Sequence, residues 1–166
     1  MDLPYPSVLD LQKDTLSAEI IYPAYAGLHG EITATLQYVY HALFFRKAND
    51  AKTAELLTGI AVTEMHHQEM LGETILNLGL KPIYKLPSFD GGYYNTAFVS
   101  KSTTAQKMLL DDITGEMNAI REYSEMESRL KNEKVAAIIA RIKMDEELHV
   151  LKLKQALKEY SDKNPY

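Results

Sequence analysis

Stepping along the chain in threes and fours separates an apolar stripe from a charged face over most of its length, the 3.6-residue period of amphipathic helices. Two long stretches carry this pattern, about 24–80 and 102–160, and both are rich in Ala, Leu, Glu, Lys, Met and Ile, which favour helix. Each is too long for one globular helix, so each is expected to fold back as a hairpin. The first breaks near Ala48-Asn49-Asp50, where Asn or Asp can cap the helix that follows, and the second near Lys131-Asn132-Glu133. The pattern predicts an all-α protein with helices over about 24–48, 50–80, 103–130 and 132–160, forming a single domain over 1–166. Segment 81–102 carries Pro82, Pro87, Gly91 and Gly92 with an aromatic cluster over 84–98. It is long enough to run the length of a helix, so it is read as a crossover that joins the two hairpins and sets the second and third helices parallel. Its aromatic residues are expected to pack the crossover onto the bundle rather than to gate a substrate.

The inward stripes contain residues that an ordinary core excludes. The second helix gives Leu57, Ile60, Glu64, His67, Leu71, Thr74 and Leu78, and the fourth gives Val135, Ile139, Ile142, Glu146, His149, Leu153, Ala156 and Tyr160. In both, a Glu and a His three residues apart sit near the middle of the stripe. The third helix runs Leu109, Asp112, Glu116, Ala119, Tyr123, Met126 and Leu130, and the first runs Leu28, Glu31, Thr35, Tyr38, Ala42 and Phe45. Each of these has a Glu followed seven residues later by a Tyr. Four carboxylates and two imidazoles are therefore aimed at one core, and none of the four stripes carries a Lys or Arg to neutralise them.

Carboxylates buried together without partners either take up protons or unfold the bundle. Two divalent cations remove the difficulty, because four Glu⁻ balance two M²⁺. Oxygen and imidazole ligands suit iron or manganese, with zinc also possible. The motif is repeated: Gly30-Glu31-x-x-Ala34-x-x-x-Tyr38 recurs as Gly115-Glu116-x-x-Ala119-x-x-x-Tyr123, and Glu64-x-x-His67 recurs as Glu146-x-x-His149. The two hairpins are thus expected to be related by a pseudo-twofold axis through the metal pair.

The order Glu, ExxH, Glu, ExxH over residues 24–160 resembles the dinuclear carboxylate site of the ferritin-like superfamily, in particular rubrerythrins, bacterioferritins and, more distantly, manganese catalases. The resemblance implies a ferritin-like four-helix bundle. It makes Glu31 and Glu116 terminal metal ligands, Glu64 and Glu146 bridging ligands, and His67 and His149 one ligand to each metal. Tyr38 and Tyr123 become hydrogen-bond partners of those carboxylates. Four points bear on the activity. The chain has no Cys, so the cysteine-bound iron of a rubredoxin domain is excluded and reduction would need an external electron donor. Ala119 stands where rubrerythrins place a further Glu. Met65 follows Glu64 where bacterioferritins place a haem-ligating Met, but haem is not expected here. Only Ser161 to Tyr166 follow the fourth helix, which argues against a large storage shell.

Composition narrows the function further. A formal charge of −5 speaks against nucleic acid as a partner, and the absence of Cys removes disulfides, zinc ribbons and iron–sulfur clusters. No run of about 18 apolar residues is present to cross a membrane, and the N-terminus has neither a basic start nor an apolar run, so a cytoplasmic protein is expected. The expected activity is that of a two-metal oxidoreductase acting on hydrogen peroxide or dioxygen, as a peroxidase, a catalase-like enzyme or a ferroxidase. The alternative is a metal-binding or iron-handling protein without turnover, or a structural subunit. A homodimer is the expected assembly. Of the other histidines, His66 reads as a flank or surface residue, His29 has no ligand-like context and His41 reads as packed near the end of the first helix. Asp112 and Asp145 are placed either to orient an imidazole or to cap and be solvated.

Overall fold

The computed structural model describes residues 3–85 and 92–163. Pro87, the Phe89–Gly91 part of the crossover and Pro165 lie outside them. Among the described residues the helices are α1 (Thr15–Ala26), α2 (Glu31–Lys47), α3 (Ala51–Asn77), α4 (Ala105–Arg129) and α5 (Glu133–Lys163), with a 3₁₀ turn at Thr96–Phe98. The boundaries follow local chemistry. Asp50 caps α3 by accepting from Thr53 N at 3.1 Å, as its position after Asn49 predicts. Asn49 ends α2 in the left-handed region at φ 59°, and Gly79 ends α3 at φ 99°, where a side chain would be strained.

The first helix departs from expectation. The stretch read as one helix over 24–48 is two, because α1 runs straight through Pro23 and the chain turns only at Gly27 and Gly30. Pro23 has no N–H to reach back to Glu19 O, and α1 goes on only to Ala26, where Gly27 N–H donates to Pro23 O at 2.7 Å. The turn demands glycine for space: a Cβ on Gly27 would lie 2.4 Å from Pro23 O, and one on Gly30 would lie 2.6 Å from Ala24 O. As a result α2 has only 17 residues against 31 in α5. At 1.5 Å per residue it is about 20 Å shorter. Helix α1 fills the missing length.

Contacts between helices fix the topology. Tyr38 meets Glu116 while Glu31 meets Tyr123, so α2 and α4 are antiparallel. His67 faces Asp145 while Lys52 pairs with Glu159, so α3 and α5 are antiparallel too. Since α2 and α3 form a hairpin, α3 and α4 run parallel, and the crossover spans the bundle. Its start is held on α1 by Tyr22 OH, which donates to Ile83 O at 2.8 Å, and by Tyr25 stacked on Tyr84 at 5.4 Å. Its end is held on α2, where Gln37 Oε1 accepts from Ser100 N at 2.9 Å.

The core falls into two apolar layers. One gathers α1 with the α3 C-terminal half around Leu71, Ile75, Ile139 and Ile142, and the other lies around Phe45, Leu57, Leu109 and Leu153. A belt of Glu and His side chains lies between them.

Candidate metal centre

The four glutamates and two histidines singled out by the stripes all reach this belt. Glu31, Glu64, His67, Glu116, Glu146 and His149 are all buried. They form two groups, Glu31–Glu64–His67–Glu146 and Glu64–Glu116–Glu146–His149, and within each the ligand atoms lie within 4.8 Å of one another. Glu64 and Glu146 belong to both groups and sit in the middle. The i, i+3 spacing explains the local arrangement, since Glu and His one turn apart face the same space. His67 Nδ1 lies 3.0 Å from Glu146 Oε1 and 3.5 Å from Glu64 Oε2, and His149 Nδ1 lies 2.9 Å from Glu64 Oε1 and from Glu146 Oε2. Both rings thus present Nδ1 to the cluster.

The tyrosines are arranged crosswise. Tyr38 of one repeat donates to Glu116 of the other, and Tyr123 donates to Glu31. Burial, then the charges of these carboxylates, push both hydroxyls well above their ordinary range, so they remain donors.

Behind His67 lies a network that the stripes did not reveal. Asp145 Oδ2 faces His67 Nε2 at 3.2 Å, accepts from Tyr5 OH at 2.6 Å and forms an ion pair with Arg141 Nη1 at 2.6 Å. Arg141 also sits 4.2 Å from the Tyr5 ring centroid and donates to Leu3 O at 3.0 Å. Asp145 therefore orients an imidazole. Asp112 instead pairs with His41, whose Nδ1 is 2.8 Å from Asp112 Oδ1, and accepts from Gln37 at 2.9 Å. His41 is fully buried in this pair rather than merely packed at a helix end. Met65 and His66 are exposed on the outer face of α3.

The charge pattern is that of a cluster holding protons in place of cations. Burial, then the charge of Glu64, push the Glu31 carboxyl up to about 8, and burial with the charges of Glu146 and Glu64 raises Glu116 well above the carboxylate range. Burial acts the same way on Glu64, but hydrogen bonds with Glu31, His149 and His67 outweigh it and hold Glu64 below that range. Glu146 is also held low against burial, chiefly by the charge of His67. Burial opposes charge on the imidazoles, yet the surrounding carboxylates raise both well above 6.5. Two neutral acids, two carboxylates and two imidazoliums sum to zero. Even so, Glu64 Oε1, Glu146 Oε1 and His67 Nδ1 are buried without an aligned hydrogen bond. These atoms converge on shared space, and with the ring neutral and the carboxyls ionised they are the donor set a divalent ion takes.

A cavity of about 450 Å³ reaches this cluster between α2 and α4, bounded by Ala34, Phe98, Gly115 and Ala119 and ending on Glu31 and Glu116. Phe98 of the crossover thus lines the way to the site as well as packing. The opposite side is closed by the N-terminal segment, which runs over α3 and α5 with Val8 O bonded to Asn77 at 2.8 Å and Asp10 O to Lys134 at 3.0 Å.

Comparison with known proteins places this arrangement. A family model described as the ferritin-like domain matches residues 26–162. No curated protein matches by sequence. Among solved structures, KatB, a manganese catalase from Anabaena, superposes with a TM-score of 0.86 at 19% identity, over 100% of this chain and 82% of that one. The Mycobacterium tuberculosis bacterioferritin BfrA gives a TM-score of 0.76 at 21% identity, over 92% and 90%. A Rhodobacter capsulatus bacterioferritin, solved with a metal-free dinuclear site and haem iron, gives 0.72 at 23%, over 93% and 91%. These likenesses establish the fold.

Proposed function

Because this chain belongs to the ferritin-like domain family, we propose that its buried belt holds two divalent metal ions, iron or manganese, and reduces hydrogen peroxide or dioxygen. The observation that carries the reading is the pair of four-residue groups sharing Glu64 and Glu146. Glu31, Glu64, Glu146 and His67 would hold one ion, and Glu64, Glu116, Glu146 and His149 the other. Two such ions, each passing one electron, supply the two electrons that O–O bond reduction needs.

The chain's own residues do the rest. Tyr38 and Tyr123 hold the outer carboxylates Glu116 and Glu31 from opposite hairpins, which leaves each carboxylate one free oxygen. Asp145 fixes His67 so that Nδ1 faces the cluster. The two apolar layers exclude bulk water above and below, so the oxidant comes through the α2–α4 cavity. With no Cys in the chain, an electron donor other than hydrogen peroxide would be external. Leu36, Val39 and Leu43, exposed along one face of α2, support self-association as a homodimer, which sedimentation velocity measures.

The test is anaerobic loading with Fe²⁺ or Mn²⁺, followed by mixing with hydrogen peroxide or dioxygen while the optical spectrum is recorded. Two ions per chain and a spectral change on mixing are expected. Uptake without a change on mixing with either oxidant would reassign the protein to metal holding. Unchanged uptake by Glu64→Ala combined with His149→Ala would overturn the ligand assignment.

A further inference from the structure

The two histidines of the belt have matching surroundings at one ring nitrogen and different ones at the other. His67 Nδ1 lies 3.0 to 3.6 Å from the carboxylates of Glu31, Glu64 and Glu146, and His149 Nδ1 lies 2.9 to 3.4 Å from those of Glu64, Glu116 and Glu146. The repeat accounts for this match, since each ring faces the shared pair and the outer glutamate of its own hairpin. At Nε2 the match ends. His67 Nε2 lies 3.2 Å from Asp145 Oδ2, which is held in turn by Tyr5 OH and by the ion pair with Arg141, each at 2.6 Å. Among the described residues, His149 has no carboxylate within 4.0 Å beyond its three at Nδ1.

The place of Asp145 in the chain explains the difference. It stands directly before Glu146 on α5 and reaches across to the histidine of α3. The repeat sets the residue directly before Glu64 on α3 in the matching position against His149, and that residue is Thr63. Thr63 carries no charge, and its hydroxyl turns back along its own helix to donate to Gly59 O at 3.2 Å. A carboxylate at the outer nitrogen of a ligand imidazole fixes the tautomer, holds the direction of the ring and raises its basicity. Only one of the two belt histidines has that support.

We infer that the two metal positions are unequal: the one served by His67 fills first and keeps its ion, and the one served by His149 fills second and exchanges, because Thr63 stands where a carboxylate would hold His149. The inference deepens the two-metal reading and rests on it. The expected difference in affinity is the factor of about 10–100 that such a partner confers. A chain that has taken up a single ion therefore holds it beside His67. Repulsion between two ions would also separate the binding steps, but it would neither choose His67 over His149 nor respond to a change at Thr63.

The test is a titration of the whole protein, labelled with ¹⁵N-histidine, with Zn²⁺, which is diamagnetic. NMR follows the ring signals, assigned from His67→Gln and His149→Gln, and calorimetry follows the binding steps. At one equivalent the His67 signals are expected to reach their final positions while those of His149 stay in place, and the second equivalent moves His149. Thr63→Asp, at a partly buried position outside the cluster, is expected to tighten the second step by at least about tenfold and leave the first unchanged. Asp145→Asn is expected to bring the two steps together. His149 signals that move before or together with those of His67, or a second step that Thr63→Asp leaves unmoved, would each overturn the inference while uptake of two ions leaves the two-metal reading standing. Uptake of fewer than two ions by the parent would instead sink that reading, and the inference with it.

Discussion

Oδ2 of Asp145 gathers Tyr5, Arg141 and His67 around one atom, and the ring of His67 is held from behind by groups that never touch the cluster. A ligand imidazole whose outer nitrogen is held by a carboxylate keeps its tautomer and direction, and loss of such a partner typically costs about 10–100-fold in metal affinity. Asp145→Asn is accordingly expected to weaken one of two metal-binding steps by about that factor, while the step that uses His149 is unchanged. A two-site titration by calorimetry reads this, and equal weakening of both steps would speak against a positioning role. Glu64, His67, Glu146 and His149 were legible in the sequence because ExxH on an apolar stripe is a periodic signal. Tyr5 was not, since it lies in an extended segment between Pro4 and Pro6 with no helical period. Arg141 was not either, because it stands off the stripe and is buried only through Asp145 and the N-terminal strap.

At the scale of elements, capping residues behaved as local chemistry dictates and proline did not. Asp50→Ala removes the bond to Thr53 N and is expected to lower stability by about 0.5–2 kcal/mol in urea unfolding, with the metal stoichiometry unchanged. Gly30→Ala drives a Cβ against three backbone atoms within 2.8 Å and is expected to cost about 1–3 kcal/mol, more than the capping change if the α1–α2 turn is as closed as it stands. The sequence showed α3, α4 and α5 plainly because their stripes are long and continuous. It concealed the division of the first helix, because helix-favouring residues continue on both sides of Gly27 and Gly30, where the turn lies. Gly30 and Gly115 match in the repeat yet do different work: the first admits a backbone and the second lines the α2–α4 cavity.

For the whole molecule, charge links metal, protons and stability. Without metal, the folded protein keeps protons on Glu31, Glu116, His67 and His149 that the unfolded chain releases at lower pH. Raised values mean that the native state binds more protons, so this contribution is full below the unfolded pKa and is lost as pH rises. For Glu31 the loss runs from its ordinary 4.5 to about 8. Metal ions bound at this cluster would replace these protons, and their binding is expected to strengthen over the same interval. The metal-free melting temperature is expected to fall from about pH 5 to about pH 8, and the rise on adding Mn²⁺ to grow. Calorimetric scans at several pH values check both slopes, and a metal-induced rise that shrinks with pH would contradict the ligand set.

Period and spacing in the sequence alone determined an all-α bundle of two hairpins and the residue types facing its core, because burial at every third and fourth position leaves its mark on the chain itself. The crosswise pairing of each tyrosine with the other repeat's glutamate, the strap that closes one side over His67 and the cavity that opens the other were decided only by the tertiary structure. They arise between helices, where distance in space is unrelated to spacing along the chain.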